Sequence, residues 1–238
     1  PEGRAFNADG TKMFGGGNGG EDVNEYVLST GFDVSTATYS QNFDISSQET
    51  EPKGMAFNTD GTKMFIVGTS APTPDVNEYN LSTGFDVSTA SYSQNFSVSA
   101  QESSPQAVAF NTDGTKMFIL GNTGLDVNEY TLSTGFNVST ASYSQNFSIS
   151  AQESYPRGMA FSPNGTKMFV VGNSADNVTE YTLSTGFNVS TASYSQNFNV
   201  TAQETVTRGI AFNVSGTKMF ILGNTGDDVN EYTITPSG

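Results

Sequence analysis

Residues 56–68 read AFNTDGTKMFIVG, and the same wording returns as AFNADGTKMFGGG from Ala5, AFNTDGTKMFILG from Ala109, AFSPNGTKMFVVG from Ala160 and AFNVSGTKMFILG from Ala211. The Phe of each AF pair falls at Phe6, Phe57, Phe110, Phe161 and Phe212, a period of 51 residues with one step of 53. A second block, LSTGFDVSTASYSQNF from Leu81, recurs in near-identical form from Leu28, Leu132 and Leu183 but not after the last copy. Self-similarity at about 50 residues, built from short alternating stretches, is the mark of a propeller or a repeat array. The chain divides into repeats 1–51, 52–104, 105–155, 156–206 and a partial 207–238, which together read as one closed domain, 1–238.

Each unit carries four strand signals. Strand A is GMAFN from Gly54, B is KMFIVG from Lys63, C is VNEYNL from Val76 and D is ASYSQNFSVS from Ala90. Between A and B stand Asp9-Gly10, Asp60-Gly61, Asp113-Gly114, Asn164-Gly165 and Ser215-Gly216, where a tight hairpin needs a residue that accepts positive φ. Strand B is apolar at consecutive positions, Met64 to Val67, as expected of a strand covered on both faces. Strand D alternates, with Tyr92, Gln94 and Phe96 on one side and Ser93 and Asn95 on the other. Four antiparallel strands per unit, repeated radially, predict an all-β, five-bladed β-propeller. The A, B and C signals occur five times and D four times, so the last blade lacks its own outer strand. An open edge there is a pairing hazard, and a dimer through it is expected.

Composition removes several functions. The chain of 238 residues has 24 acidic and 9 basic residues, a formal charge of −15, and neither His, Cys nor Trp. That charge repels phosphate backbones and anionic lipid, which argues against nucleic acid and membrane surfaces as partners. No apolar run approaches the roughly 18 residues of a spanning helix, so no membrane insertion is expected. Without His or Cys there is no imidazole base, no thiolate and no His-ligated zinc. The chain opens inside a repeat at Pro1 and reads as an excised piece of something longer. The Phe residues and all Tyr but Tyr155 fall in repeat columns, which marks them as packing residues. Phe110→Ala is accordingly expected to cost about 3–5 kcal/mol.

The segment Phe161-Ser162-Pro163-Asn164-Gly165-Thr166-Lys167-Met168-Phe169-Val170 resembles the A-x-S-P-D-G-x-x-x-Y-V core of the YVTN and gluconolactonase-like propeller superfamily. The likeness covers strands A and B of every unit and implies architecture. The GTKMF and LSTGFDVSTASYSQ wording is also similar to repeats of uncharacterised marine bacterial and phage proteins. Five units of this length are similar to the tachylectin-type lectins, which implies sugar sites repeated once per blade. That family's blades are Trp-rich, and its sugar-contacting residues have no counterparts in a chain without Trp.

Strand reversal gathers the D-to-A and B-to-C connections at one end of the propeller, the expected recognition face. The D-to-A loops carry Gln48-Glu49, Gln101-Glu102, Gln152-Glu153 and Gln203-Glu204, with Tyr155 beside the third. The B-to-C loops vary most and carry Asn122, Asn173 and Asn224. Amides and carboxylates of this kind match the hydroxyls and acetamido groups of a glycan. Asp22, Asp75, Asp126 and Asp228 end those loops and are candidate calcium ligands, although no EF-type loop accompanies them; no other cofactor is expected. Strand A should line the axial channel, which places Glu2, Lys53, Gln106, Arg157 and Arg208 around its mouth. Glu25, Glu78, Glu129, Glu180 and Glu231 of strand C recur opposite Lys12, Lys63, Lys116, Lys167 and Lys218 of strand B, which reads as one structural ion pair per blade. The expectation is a non-enzymatic, multivalent glycan-binding or adhesion module on an extracellular, cell or virion surface protein. The alternatives are a lactonase- or glycosidase-like enzyme at the channel, and a spacer without a ligand.

Overall fold

The computed structural model describes residues 3–17, 19–70, 73–174, 176–226 and 228–234. Its first sheet is β1 (Gly3–Phe6), β2 (Lys12–Gly17), β3 (Asp22–Leu28) and β4 (Ala37–Asp44). The second is β5 (Pro52–Phe57), β6 (Lys63–Gly68), β7 (Asp75–Leu81) and β8 (Ala90–Ser97); the third is β9 (Pro105–Phe110), β10 (Lys116–Gly121), β11 (Asp126–Leu132) and β12 (Ala141–Ser148). The fourth is β13 (Pro156–Phe161), β14 (Lys167–Gly172), β15 (Asn177–Leu183) and β16 (Ala192–Asn199), and the fifth is β17 (Thr207–Phe212), β18 (Lys218–Gly223) and β19 (Val229–Thr233). Each sheet is antiparallel in sequence order, four of them with four strands and the last with three. This is a five-bladed β-propeller whose final blade ends at its third strand among the described residues. No helix among the described residues is long and apolar enough to cross a membrane.

The turns follow from local chemistry. Gly61 has φ +72, and a Cβ there would lie 2.2 Å from the Phe85 ring, so glycine is required twice over. Between C and D each full blade adds a single 3-10 turn that the sequence did not signal, such as Val87–Thr89, started by Asp86, whose side chain accepts from Ser88 N–H at 3.1 Å. Phe85, just before it, takes φ +57, a conformation a bulky residue holds only when its surroundings fix it.

The core lies between blades. Phe65, Val67 and Val76 of the second blade pack with Val108, Ile119 and Tyr130 of the third. Three Phe rings close each full seam: Phe65, Phe110 and Phe136 sit 4.4 and 5.5 Å apart in sequence along the cluster. Phe110 is half-buried at this cluster's margin, which corrects the reading of it as a fully interior residue.

A polar clasp crosses the same seam. Lys63 Nζ pairs with Glu78 Oε1 at 2.7 Å and donates to the Phe136 carbonyl of the next blade at 2.8 Å. Glu78 Oε2 accepts from Gln94 Nε2 at 2.8 Å and from Val138 N–H of the next blade at 3.0 Å. Gln94 Nε2 also reaches Asn137 Oδ1 of that blade at 2.7 Å. The pattern repeats with Lys12, Glu25 and Gln41 against Phe85, Asp86 and Val87, and with Lys116, Glu129 and Gln145 against Phe187, Asn188 and Val189. The strand B lysines and strand C glutamates are thus structural pairs, and they also join adjacent blades. The ring closes when Lys218 donates to the Phe32 carbonyl at 2.8 Å and Phe220 meets Phe6 at 4.6 Å.

Candidate functional site

At the loop end, the D-to-A glutamates are not presented to solvent. Glu49, Glu102, Glu153 and Glu204 are at most 2% exposed. Glu102 accepts from the backbone N–H of Ser104 at 2.6 Å, Thr123 at 3.1 Å and Gly124 at 2.9 Å. Glu49, Glu153 and Glu204 tie their loops in the same way, with Ser70, Ser174 and Thr225 hydroxyls as additional donors. A Cβ at Gly121 would lie 1.8 Å from Glu102 Oε2, so the glycine ending strand B makes room for this carboxylate. These four glutamates are loop ties, which corrects the expectation that they contact a ligand: buried carboxylates need such donors before anything else.

Their neighbours behave differently. Gln101, Gln152 and Gln203 accept from Tyr130, Tyr181 and Tyr232 hydroxyls at 3.4, 3.3 and 3.2 Å. In the second blade the corresponding Tyr79 hydroxyl is buried with no hydrogen-bond partner among the described residues, and Gln48 lines an open cavity. Asn122 and Asn173 each anchor a loop through their N–H, to Ser104 and Tyr155 carbonyls at 3.0 Å, while their Oδ1 atoms are buried with no partner among the described residues. Asn224 and Tyr155 are exposed.

The cavity beside Gln48 measures about 360 Å3 and is lined also by Ser70, Asp75, Asn77, Tyr92 and Asn95. Asp75 accepts from Asn77 and Asn95 amides at 2.7 Å each. Burial, and then the charge of Glu49, push the Asp75 carboxyl above its ordinary range. The Tyr92 ring is 43% exposed and touches Tyr79 edge-on at 5.9 Å. Tyr39, Tyr143 and Tyr194 hold equivalent exposed positions, which corrects the assignment of the SY column to packing. A bulge is responsible. Strand register shifts between Glu78 and Tyr79, so that Glu78 faces Gln94 but Tyr79 faces Tyr92. Tyr92 therefore joins Asn77 and Asn95 on one face, whereas unbroken alternation would have placed it with Gln94. That bulge is why sequence reading missed Tyr92, Asn77 and Asn95 as a group.

The aspartates weighed for calcium are held by amides. Asp22 accepts from Asn24 and Asn42 at 2.8 and 2.7 Å, Asp126 from Asn128 and Asn146 at 2.7 and 2.6 Å, and Asp228 from Asn230 at 2.9 Å. Among the described residues no group of three or more His, Cys, Asp or Glu is placed to hold a metal.

On the axis, Lys53, Gln106, Arg157 and Arg208 do converge, and Arg157 Nη1 donates to Gln106 Oε1 at 2.7 Å. Glu2 lies outside the described residues. The axial cavity is about 30 Å3, narrowed by Met55, Val108, Met159 and Ile210. The inner strands crowd it: a Cβ at Gly54 would lie 2.7 Å from Ala107 Cα. Such a space holds a water molecule, while small-molecule sites run to roughly 300 Å3 or more.

The fold has solved counterparts. A candidate 6-phosphogluconolactonase of Bacteroides uniformis superposes with a TM-score of 0.58 at 14% identity, over 99% of this chain and 68% of that one. The periplasmic gluconolactonase PpgL of Pseudomonas aeruginosa gives 0.54 at 12% identity, over 99% and 66%. A chain of a nidogen/laminin complex gives 0.59 at 12% identity, over 93% and 73%. The chain is a β-propeller with gluconolactonase-type propellers among its structural neighbours, and at these identities the likeness defines the fold alone. No protein-family model matches the sequence, and no curated protein matches it.

Proposed function

We propose that this propeller is a non-enzymatic binding module for glycans on an extracellular, cell or virion surface protein, with its contacts at the blade rim near the loop end. The observation that carries the reading is the 360 Å3 cavity of the second blade, where the exposed Tyr92 ring stands beside the Gln48, Asn77 and Asn95 amides, the Ser70 hydroxyl and the Asp75 carboxyl. A ring face suits the apolar side of a sugar, and amides with both donors and acceptors suit its hydroxyl and acetamido groups. Tyr39, Tyr143 and Tyr194 repeat the platform on other blades, so weak single sites gain from joint engagement.

The lactonase neighbours support a second reading, an enzyme that opens sugar lactones. Against its placement at the axis stands the 30 Å3 cavity, too small for such a substrate. A glycan array probed with the labelled chain, with calcium and with chelator, tests the first reading. The expected result is binding to a restricted set of sugars that Tyr92→Ala with Asn95→Ala weakens at least tenfold. Silence on the array together with turnover of a gluconolactone would overturn it in favour of the enzyme.

A further inference from the structure

Four D-to-A connections carry the same Gln-Glu pair, and the structure puts their glutamines to two uses. Gln101, Gln152 and Gln203 accept from the hydroxyls of Tyr130, Tyr181 and Tyr232 at 3.4, 3.3 and 3.2 Å. Gln48 makes no such bond to Tyr79, although Tyr79 stands in the same column and is fully buried. Gln48 lines the rim cavity of about 360 Å3 instead, beside Asp75, Asn77, Tyr92 and Asn95. The sequence sets the second blade apart in one further respect. Its B-to-C connection runs GTSAPTPD from Gly68, two residues longer than GNTGLD from Gly121, and Thr73 of this longer run is part of the cavity wall.

A held glutamine and a released one differ as ligand contacts. An amide engaged by a tyrosine hydroxyl gives that bond up before its oxygen can face a ligand, and a net hydrogen bond of ordinary strength is worth roughly two- to tenfold in affinity. Gln48 carries no such cost, so its carbonyl and N–H2 are both at hand where Tyr92 is 43% exposed. The wall also has a polarity of its own. Asp75 accepts from Asn77 Nδ2 and Asn95 Nδ2 at 2.7 Å each, which uses one donor of each amide and leaves their oxygens as acceptors, and neither Lys nor Arg is among the lining residues. Buried Glu49 adds its negative charge to that of Asp75. Acceptors under a negative field suit the hydroxyl and amide N–H donors of an uncharged sugar and repel a carboxylate or sulfate.

We infer, resting on the glycan-binding reading above, that the second blade holds the primary site, that Gln48 is its specificity-determining contact, and that the sugars it takes are neutral rather than sialylated, sulfated or uronic. In the third and fourth blades Gln101 and Gln152 stay with their tyrosines, so Tyr143 and Tyr194 there supply weaker, secondary platforms.

The test is an array of neutral, sialylated and sulfated glycans, probed at several concentrations with the intact labelled chain, with Gln48→Ala and with Gln101→Ala. Binding to neutral spots is expected, weakened at least tenfold by Gln48→Ala and no more than twofold by Gln101→Ala. The thermal midpoint of Gln48→Ala should stay in place, because that side chain gives up no hydrogen bond of the fold among the described residues. Equal effects of the two variants, or binding confined to sialylated and sulfated spots, would overturn the inference and leave the glycan reading standing. A lowered midpoint for Gln48→Ala would mark the residue as structural and overturn it too. No binding to any spot would overturn the glycan reading itself, and the inference with it.

Discussion

Glu78 and Glu180 occupy the same column of the same wording, and the structure gives them different weight. Glu78 is 1% exposed and accepts from Lys63 at 2.7 Å, Gln94 at 2.8 Å and Val138 N–H at 3.0 Å. Glu78→Gln keeps the shape but removes the charge and turns an N–H2 toward one of these donors. Breaking a buried pair costs about 3–5 kcal/mol. Lys63 is 26% exposed and keeps the Phe136 carbonyl at 2.8 Å, which lowers the expectation to about 2–4 kcal/mol. Glu180 is 12% exposed, its lysine 48%, and among the described residues no neighbouring blade donates to it, so Glu180→Gln should cost less than about 1 kcal/mol. Urea unfolding of the two variants reads the difference. With a slope of about 2–3 kcal/mol/M, Glu78→Gln moves the midpoint down by about 1 M and Glu180→Gln by no more than a few tenths. Equal shifts would refute the argument that the clasp acts between blades, because the ion pair within each blade is present in both.

Gly61→Ala and Gly216→Ala make a second internal comparison, since both need positive φ but only Gly61 lies under a ring, Phe85 at 2.2 Å. Both should lower the midpoint, Gly61→Ala by about 1–3 kcal/mol more, and equal losses would discount the ring contact. Phe110→Ala should cost about 2–4 kcal/mol, below the range for a fully buried Phe, because the ring is only half-buried against Phe65 and Phe136; a urea midpoint left in place would remove it from the core. Asp126 is held above its ordinary value by burial first of all, so the folded state takes up its proton before the unfolded chain does. Its contribution to stability is therefore regained as pH falls from 7 toward 4 and lost as pH rises through that window. The stability of the parent relative to Asp126→Asn should rise over that fall in pH, and a flat or opposite difference would contradict the direction of the shift.

The architecture was legible because strands A to C were spelled five times and strand D four times, and Asp60-Gly61 or Met64 to Val67 dictate a local conformation wherever they stand. The lysine and glutamate columns were legible as pairs for the same reason, being diagonal neighbours on adjacent strands: Lys63 stands opposite Asn80 and Glu78 opposite Phe65 across one ladder. What the residue types alone withheld is how blades meet. Nothing in the GF dipeptide says that Phe85 will adopt positive φ and offer its carbonyl to Lys12 of the preceding blade at 2.6 Å. The rim site was hidden for a smaller reason, one extra residue at the bulge after Tyr92, which breaks the period of two on which strand patterns are read. The Gln-Glu pairs misled because a polar residue repeated in a loop looks like a contact residue, whereas Glu102 is consumed by three backbone N–H groups of its own and the neighbouring loop.

Repetition also decides where neighbouring units can differ. In a repeat protein stability is a sum of unit terms and nearest-neighbour terms, so identical units can differ only through their neighbours. The seam from fifth to first blade has its three rings, Phe220, Phe6 and Phe32, and its lysine on the Phe32 carbonyl. Among the described residues the seam from fourth to fifth has two rings, Phe169 and Phe212, and Glu180 is met only from its own blade, by Lys167 and Gln196; at the other seams the third ring, the Val N–H and the Asn or Asp acceptor all sit on one connector between strands C and D.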